Sequence, residues 1–183
     1  MKAPTRAKPG STSPTWPTLP PGMCCSGLFE MPAAGGATPA GALLWATSIG
    51  TDQGGRGPCS IRLHRSLDGG RSWQYYSTPV SGYIGLWEPE FILDGQGRLV
   101  VYYSSEEHKA EGYNQLLAHK VSTDGGLTWG AETVDVGKAD GHQRPGMAIV
   151  RCLAGRQLRD ELRNLRAGLR RLPAHLVRRR ALG

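Results

Sequence analysis

The chain has 183 residues, about one domain of ordinary size. Apolar residues make up 39% and charged residues 20%, which excludes fibrous and disordered classes, and no run approaches the roughly 20 apolar residues of a membrane-spanning helix. The net charge of +7 is concentrated in residues 151–183, where ten arginines face only Asp160 and Glu161. Residues 1–150 are nearly neutral, which excludes a nucleic-acid-binding domain there and predicts no specific nucleic-acid partner.

Residues 1–26 are rich in Pro, Ser and Thr and predict a disordered lead. The lead lacks the apolar core of a signal peptide, so the cellular location is left open. Beyond it, apolar alternation and aromatic or β-branched content predict strands and no convincing helix up to residue 150. The predicted strands are Ala42–Thr47, Ile61–Arg65, Trp73–Thr78, Glu90–Leu93, Arg98–Tyr103, Gln115–Val121 and Thr133–Val136.

The four cysteines stand at positions 24, 25, 59 and 152. No CxxC pair and no metal-ligand spacing of histidines is present, so the sequence predicts neither a metal site nor a cofactor. Free thiols are the preferred interpretation. A bridge from Cys24 or Cys25 to Cys59 stays open for an exported protein.

The tail, residues 151–183, differs from the rest of the chain. Its leucines from Leu158 to Leu172 recur at alternating spacings of four and three, with arginines around them. This pattern predicts a basic amphipathic helix that would bind polyanions nonspecifically.

An eight-residue segment occurs twice: Ser66–Trp73 and Ser122–Trp129 both fit S-x-D-G-G-x-[ST]-W, with starts 56 residues apart. The Asp can accept hydrogen bonds from the following backbone amides, and the glycines allow left-handed angles. Each copy is therefore expected to be a hairpin turn, and two copies at this spacing indicate blades of a β-propeller. The predicted structural positions are Ser66, Asp68, Gly70, Trp73, Ser122, Asp124, Gly126 and Trp129.

The repeated segment resembles the Asp-box, or BNR repeat, of the sialidase superfamily. Further segments resemble sialidase-like glycoside hydrolases, closest to the exo-arabinanase branch: Leu86–Glu90, Leu99–Tyr103, Tyr113–Gln115 and Arg144–Met147. The resemblance implies an all-β, six-bladed propeller with a sugar site at its axis and a carbohydrate partner. Residues 27–150 would supply two blades and part of a third, so the chain is expected to be a fragment.

Four side chains are candidates for the sugar site. Glycoside hydrolysis generally needs two carboxyl groups, one as proton donor and one as nucleophile or base. Glu88, between Trp87 and Pro89, is the candidate for one of these roles, because the resemblance places the Trp-Glu-Pro glutamate in the active site. Trp87 could stack on a sugar. Glu90 is the local competitor, and Arg144 can bind sugar hydroxyls or a carboxylate.

The chain departs from this family after Val150. The family continues with a strand ending in Tyr-Glu, whose glutamate is the second carboxylate. Gln157–Asn164 can be encoded by CAA CTA CGT GAT GAG CTA CGA AAT, which read one base later spells Asn-Tyr-Val-Met-Ser-Tyr-Glu. A frameshifted tail is the preferred interpretation, and the chain alone is expected to be inactive. The alternatives are a non-enzymatic Asp-box module whose basic tail binds acidic partners, and an Asp-box binding protein without sugar chemistry.

Overall fold

The computed structural model describes Thr15 and residues 22–50, 57–153 and 157–164; beyond Arg151 it is described by its backbone alone. Strands dominate these residues, and the helical structure in them is a short 3-10 turn at Lys109–Glu111. No helix among them is long and apolar enough to cross a membrane. The strands are β1 (Cys24–Glu30), β2 (Leu43–Ile49), β3 (Cys59–Ser66), β4 (Gln74–Gly82), β5 (Leu86–Leu93), β6 (Leu99–Ser105), β7 (Leu116–Ser122), β8 (Thr133–Val136), β9 (Pro145–Leu153) and β10 (Gln157–Asn164).

The strands form three antiparallel sheets in which each strand pairs with the next along the chain. Strands β1–β4 make blade 1, β5–β8 make blade 2, and β9 pairs with β10. A hairpin joins β5 to β6, and in its turn the Asp94 carboxylate accepts the N–H groups of Gln96 and Arg98 at 2.9 Å. The all-β prediction is confirmed, and the strands between residues 40 and 150 lie in consecutive hairpins.

Apolar side chains hold the sheets face to face. One cluster joins blade 1 to blade 2, with Leu44 and Ile61 on one side and Leu86 and Val101 on the other. A second cluster lies on the opposite face of blade 2, where Ala148 and Val150 of β9 pack. Burial of these side chains is the main stabilising force between blades.

The first strand of each sheet carries a bulge at the same place. Between the flanking pairs, two residues oppose one of the partner strand within Cys24–Gly27, Trp87–Glu90 and Gly146–Ile149. The residue inside each bulge has a left-handed backbone: φ is 54° at Cys25, 59° at Glu88 and 56° at Met147. Strands β1, β5 and β9 therefore have equivalent geometry, and they lie side by side, since β5 contacts both of the others.

Two boundary predictions need correction. The helix predicted from Leu158 to Leu172 is wrong where the structure describes it, because β10 pairs with β9 from Gln157↔Leu153 to Asn164↔Pro145. Pairing satisfies the edge N–H and C=O groups of β9, which a separate helix would leave open. Residues 165–172 lie outside the described residues. The predicted disordered lead overlaps β1, which begins at Cys24, and the rest of the lead lies outside the described residues apart from Thr15 and Gly22–Met23.

Candidate active site

The two repeated segments form matching turns, at β3–β4 and β7–β8. In the first, Asp68 Oδ1 accepts the N–H groups of Arg71 and Ser72 at 3.0 and 2.9 Å, and Ser66 Oγ accepts that of Gly70 at 2.9 Å. The Ser72 hydroxyl donates to Asp68, and this bond is the main cause that lowers the pKa of the Asp68 carboxyl. Trp73 packs beside the turn and donates from Nε1 to the carbonyl of Gly70 at 3.2 Å.

The second turn repeats this bonding. Asp124 Oδ1 accepts the N–H groups of Leu127 and Thr128 at 3.0 Å, and Ser122 Oγ accepts that of Gly126 at 2.7 Å. Trp129 differs from Trp73, because its Nε1 donates to Ser77 Oγ on blade 1 at 3.2 Å. Each aspartate therefore accepts hydrogen bonds within its own turn.

Glu88 lies in the bulge of β5, and its carboxylate joins blade 2 to strand β9. Oε2 accepts the Ser104 hydroxyl at 2.9 Å and the backbone N–H of Met147 at 2.6 Å. A non-glycine residue with positive φ is strained by about 1–2 kcal/mol. Such strain clusters at functional sites, where the surrounding contacts hold the residue in place.

The Glu88 carboxylate is close-packed from the side of β9. A Cβ added to Gly146 would lie 3.1 Å from Glu88 Oε2, 2.9 Å from Gln115 Nε2 and 3.5 Å from Ser104 Oγ. Gln115 is buried and donates from Nε2 to the Pro145 carbonyl at 2.6 Å, while its Oε1 has no partner within the described structure. Gly146 is thus the point where the groups around Glu88 converge.

The bulge of β1 lies on the other side of Glu88. The Cys25 thiol lies close to the backbone of Glu88. Burial, then Cys24, raises the pKa of this thiol to about 12 and outweighs the lowering effect of that backbone. Cys24, Cys25 and Cys59 are all free thiols. A bridge between these three, left open by the sequence, is absent in this structure.

The other candidates do not converge on the Glu88 carboxylate. Trp87 is half-buried, with its indole against Gly85 and its Nε1 buried without a partner among the described residues. Glu90 pairs instead with Arg151, at 2.6 Å from Oε1 to Nη1. Arg144 pairs through Nη2 with Glu106 Oε1 at 2.6 Å.

The Glu106 carboxylate is buried and is shared by two cations. Arg144 binds one oxygen and Lys109 the other. Glu106 follows β6 and its N–H donates to the Gly85 carbonyl at 2.9 Å. The Arg144–Glu106 pair therefore ties the start of β9 to the end of β6, beside the strand that carries Glu88.

The sequence analysis assigns no site role to Ser104, Gln115 or Glu106. Gln115 belonged to a segment of the family resemblance, but Ser104 is part of an ordinary strand pattern. Only the register shows that Ser104 pairs with Trp87 and so reaches Glu88. Within the described part of the chain, no three His, Cys, Asp or Glu side chains are arranged to hold a metal.

This architecture defines the class of protein. Four-stranded antiparallel meanders packed face to face, with their first strands side by side, are propeller blades. Neither a scan of protein-family models nor a search of curated proteins gives a match.

Solved structures give a more particular likeness. The chain is similar to the α-L-arabinofuranosidase Arb93A of Fusarium graminearum in complex with an iminosugar inhibitor, at 28% identity and a TM-score of 0.60. It is also similar to the GH93 α-L-arabinofuranosidase of that organism with arabinobiose (29%, 0.60) and to Penicillium chrysogenum α-L-arabinanase with arabinobiose (28%, 0.60). Each match covers 68% of this chain and 36% of the other. The chain therefore spans about a third of the length of these structures.

Proposed function

We propose that these residues are part of an exo-acting, arabinan-directed glycoside hydrolase of the sialidase-like type, with Glu88 as one of its two catalytic carboxyl groups. The observation that carries the proposal is the placement of Glu88. It is a strained bulge residue, held by Ser104 and by the Met147 N–H where two blades meet. The likeness to arabinose-directed enzymes at 28–29% identity supports the choice of substrate. The repeat turns are then Asp-boxes, with a structural role.

The two hydrogen bonds to Glu88 suit a carboxylate that must keep one orientation. Both donors bind Oε2, so among the described residues Oε1 is left available for a reacting group. Four other glutamates around the blades are engaged elsewhere: Glu90 with Arg151, Glu106 with Arg144, Glu107 with backbone N–H groups and Glu132 with His108. A paired mechanism therefore needs a carboxyl group from another position.

We place the second carboxyl group of this proposal at position 163. In the shifted reading of the tail, the glutamate of Tyr-Glu falls at the place of Arg163. Arg163 is the pairing partner of Gly146, which contacts Glu88 Oε2. Position 163 is also equivalent to Ser104, the partner of Trp87 and a donor to Glu88. A carboxylate there would flank the same site as Glu88.

Hydrolysis of aryl α-L-arabinofuranosides and arabinan tests the proposal. The 183-residue chain should show no enzyme-like turnover, because a positioned acid or base contributes roughly 10²–10⁴-fold and its partner is missing. The gene read in the shifted frame after Val150 and continued should hydrolyse the substrate. Glu88→Gln in that protein should abolish activity, while Asp68→Asn, at the distant turn, should leave kcat unchanged at permissive temperature.

Two outcomes would overturn this assignment. Turnover that survives Glu88→Gln removes Glu88 from the mechanism. If the restored protein folds but neither hydrolyses nor binds arabinose-containing ligands, arabinan is not its substrate. The alternative of a binding module with a basic helical tail finds no support in the described tail residues, which form β10.

A further inference from the structure

The Gln115 side chain joins blade 2 to β9 beside Glu88. Gln115 stands just before β7 and is only 3% exposed. Its Nε2 donates to the Pro145 carbonyl at 2.6 Å, and two residues later the Met147 N–H donates to Glu88 Oε2 at 2.6 Å. Blade 2 therefore holds the segment Pro145–Met147 at both ends, at one end by an amide donor and at the other by a carboxylate acceptor.

This segment has an irregular backbone. Met147 has a φ of 56° and lies in the bulge of β9, where an extra residue interrupts the pairing with β10. Pro145 has no N–H, so its carbonyl is the only backbone group through which a hydrogen bond can fix it. Gln115 makes that bond at the residue where β9 begins. The direction of the Met147 N–H thus depends on a short segment whose other end is fixed by Gln115.

Close packing at Gly146 couples the two anchors. A Cβ there would lie 2.9 Å from Gln115 Nε2 and 3.1 Å from Glu88 Oε2, so both polar groups lie on one side of this glycine. A shift of the segment after loss of the Gln115 bond would therefore act directly on the Glu88 carboxylate. Ser104 would then be its remaining donor among the described residues.

Stability alone does not explain a glutamine at this position. Its Oε1 is buried and has no partner within the described structure, and a buried acceptor without a partner is unfavourable. An unbranched apolar side chain such as Met would fill the same space without such an acceptor. The neighbouring Asn114 offers a contrast, because its Nδ2 donates to the His142 carbonyl at the longer distance of 3.4 Å in an exposed contact. What distinguishes Gln115 is the short, buried bond that its Nε2 makes.

We infer that Gln115 is a positioning residue for Glu88. By holding the Pro145 carbonyl, it aims the Met147 N–H at Oε2 and so keeps the carboxylate in one orientation. A bond from an N–H to an ionised carboxylate is strong when it is well aligned. The effect of Gln115 on the carboxylate follows from these contacts, whereas its effect on turnover also rests on the proposed function. Misorientation should reduce turnover, because reacting groups must be held close to their productive geometry.

NMR spectroscopy of the 183-residue chain tests the orientation without any activity. The Met147 amide proton bonds a carboxylate, so its chemical shift should differ between the unaltered chain and Glu88→Gln, in which the acceptor is uncharged. When Gln115→Met is added to both, this difference should fall below about half, because residues that share a contact are coupled in a double-mutant cycle. The Gly70 and Gly126 amides of the repeat turns report whether each variant is folded.

Asn114→Leu is the matched control, because it removes the neighbouring side-chain amide and its bond to a backbone carbonyl. It should leave the shift difference at Met147 unchanged. Gln115→Leu replaces Gln115→Met if the latter does not fold. A difference that survives loss of the Gln115 amide would overturn the inference. A Met147 amide that does not respond to Glu88→Gln in the otherwise unaltered chain would overturn it as well.

Kinetics of the protein read in the shifted frame after Val150 supply the second measurement. Gln115→Met should lower kcat at least ~10-fold and change KM for an aryl α-L-arabinofuranoside by less than ~2-fold, as expected when orientation rather than ground-state binding is lost. Asn114→Leu should change neither value. A rise in KM with kcat unchanged would make Gln115 a binding residue and refute the positioning role. If the restored protein is inactive with Gln115 in place, the proposed function fails, and the Met147 shift alone decides the role of Gln115.

Discussion

The two repeat turns share one pattern and one set of internal hydrogen bonds but differ in their surroundings. The turn at Asp124 is locked against blade 1: the Ala37 N–H donates to the Asp124 carbonyl at 2.9 Å, and Thr38 Oγ1 donates to the Gly125 carbonyl at 2.7 Å. The turn at Asp68 lies at the surface, where Thr15 pairs with Ser72. The motif therefore determines the shape of a turn, whereas the neighbouring blade determines what the turn contributes to stability.

The largest expected difference between the two turns is in the unfolding free energy lost when Gly125 or its counterpart Gly69 is replaced by alanine. A Cβ on Gly125 would lie 2.2 Å from the Gly35 carbonyl oxygen, whereas a Cβ on Gly69 meets nothing within 4 Å. Both residues have positive φ, 83° and 71°, so both variants carry the same backbone strain. We expect Gly125→Ala to lose about 4 kcal/mol of unfolding free energy and Gly69→Ala about 1 kcal/mol.

Urea unfolding followed by tryptophan fluorescence measures both values. Gly125→Ala falls in a range that can unfold a marginally stable domain outright. In that case loss of the cooperative transition, with Gly69→Ala retaining it, is the expected result. Equal losses in the two variants would show that the contact with blade 1 is unimportant.

Removing the hydroxyl that joins blade 1 to the second turn should have the next largest effect. Thr38 is fully buried, and its Oγ1 contacts both the Gly125 carbonyl and the Tyr76 hydroxyl, 3.0 Å away. Thr38→Val leaves these two groups without that partner, at a cost of about 2 kcal/mol.

Thr78→Val is the matched control. The Thr78 hydroxyl bonds the exposed Tyr75 hydroxyl at 2.9 Å, where water can replace it. Its loss should be under about 0.5 kcal/mol. Chemical denaturation compares the two variants, and a loss at Thr38 no larger than that at Thr78 would contradict the interlocked turn.

The sequence predicts the turns and strands well because their physics is local. The Asp, the following amides and the two glycines of each turn lie within eight residues, and strand alternation is visible over a similar length. The tail is an exception. Its leucine spacing is a genuine helical pattern, but the open edge of the neighbouring strand β9 pairs with Gln157–Asn164, and the leucine spacing carries no sign of that edge.

The site is only partly visible in the sequence. The Trp-Glu-Pro motif makes Glu88 a candidate, but its bulge depends on the pairing of β5 with β6. The donors to its carboxylate come from Ser104 and Met147. Arg144 is a good candidate by chemistry alone. Its ion pair with Glu106 could not be predicted, because Glu106 lies in a loop after β6 and the sequence pattern of a loop does not show its position. Contacts between blades, unlike turns, cannot be read from neighbouring residues.

The smallest effect should be a difference in acid sensitivity between Asp124→Asn and the unaltered chain. Burial raises the pKa of the Asp124 carboxyl, but hydrogen bonds from Thr128, then Ser122, outweigh it and lower the pKa to about 2, below the ordinary 3.8. A lowered folded-state pKa stabilises the fold above the unfolded value and loses that contribution as pH falls through the folded value. Asn cannot supply the charge, so Tm at pH 6 should fall by about 3 °C. The gap in Tm should narrow between pH 4 and pH 2, because the pKa of Asp124 is 3.8 in the unfolded chain and about 2 in the folded one.

Asp68→Asn is the comparison for this experiment. The Ser72 hydroxyl, then the Ser72 N–H, lower the pKa of Asp68, so the sign of the effect is the same. Its turn is not locked against another blade, and the fall in Tm at pH 6 should be smaller than for Asp124→Asn. Differential scanning calorimetry from pH 6 to pH 2 gives both curves. A gap for Asp124→Asn that stayed constant over this range would mean that the Asp124 turn stabilises the fold through shape alone, without its charge.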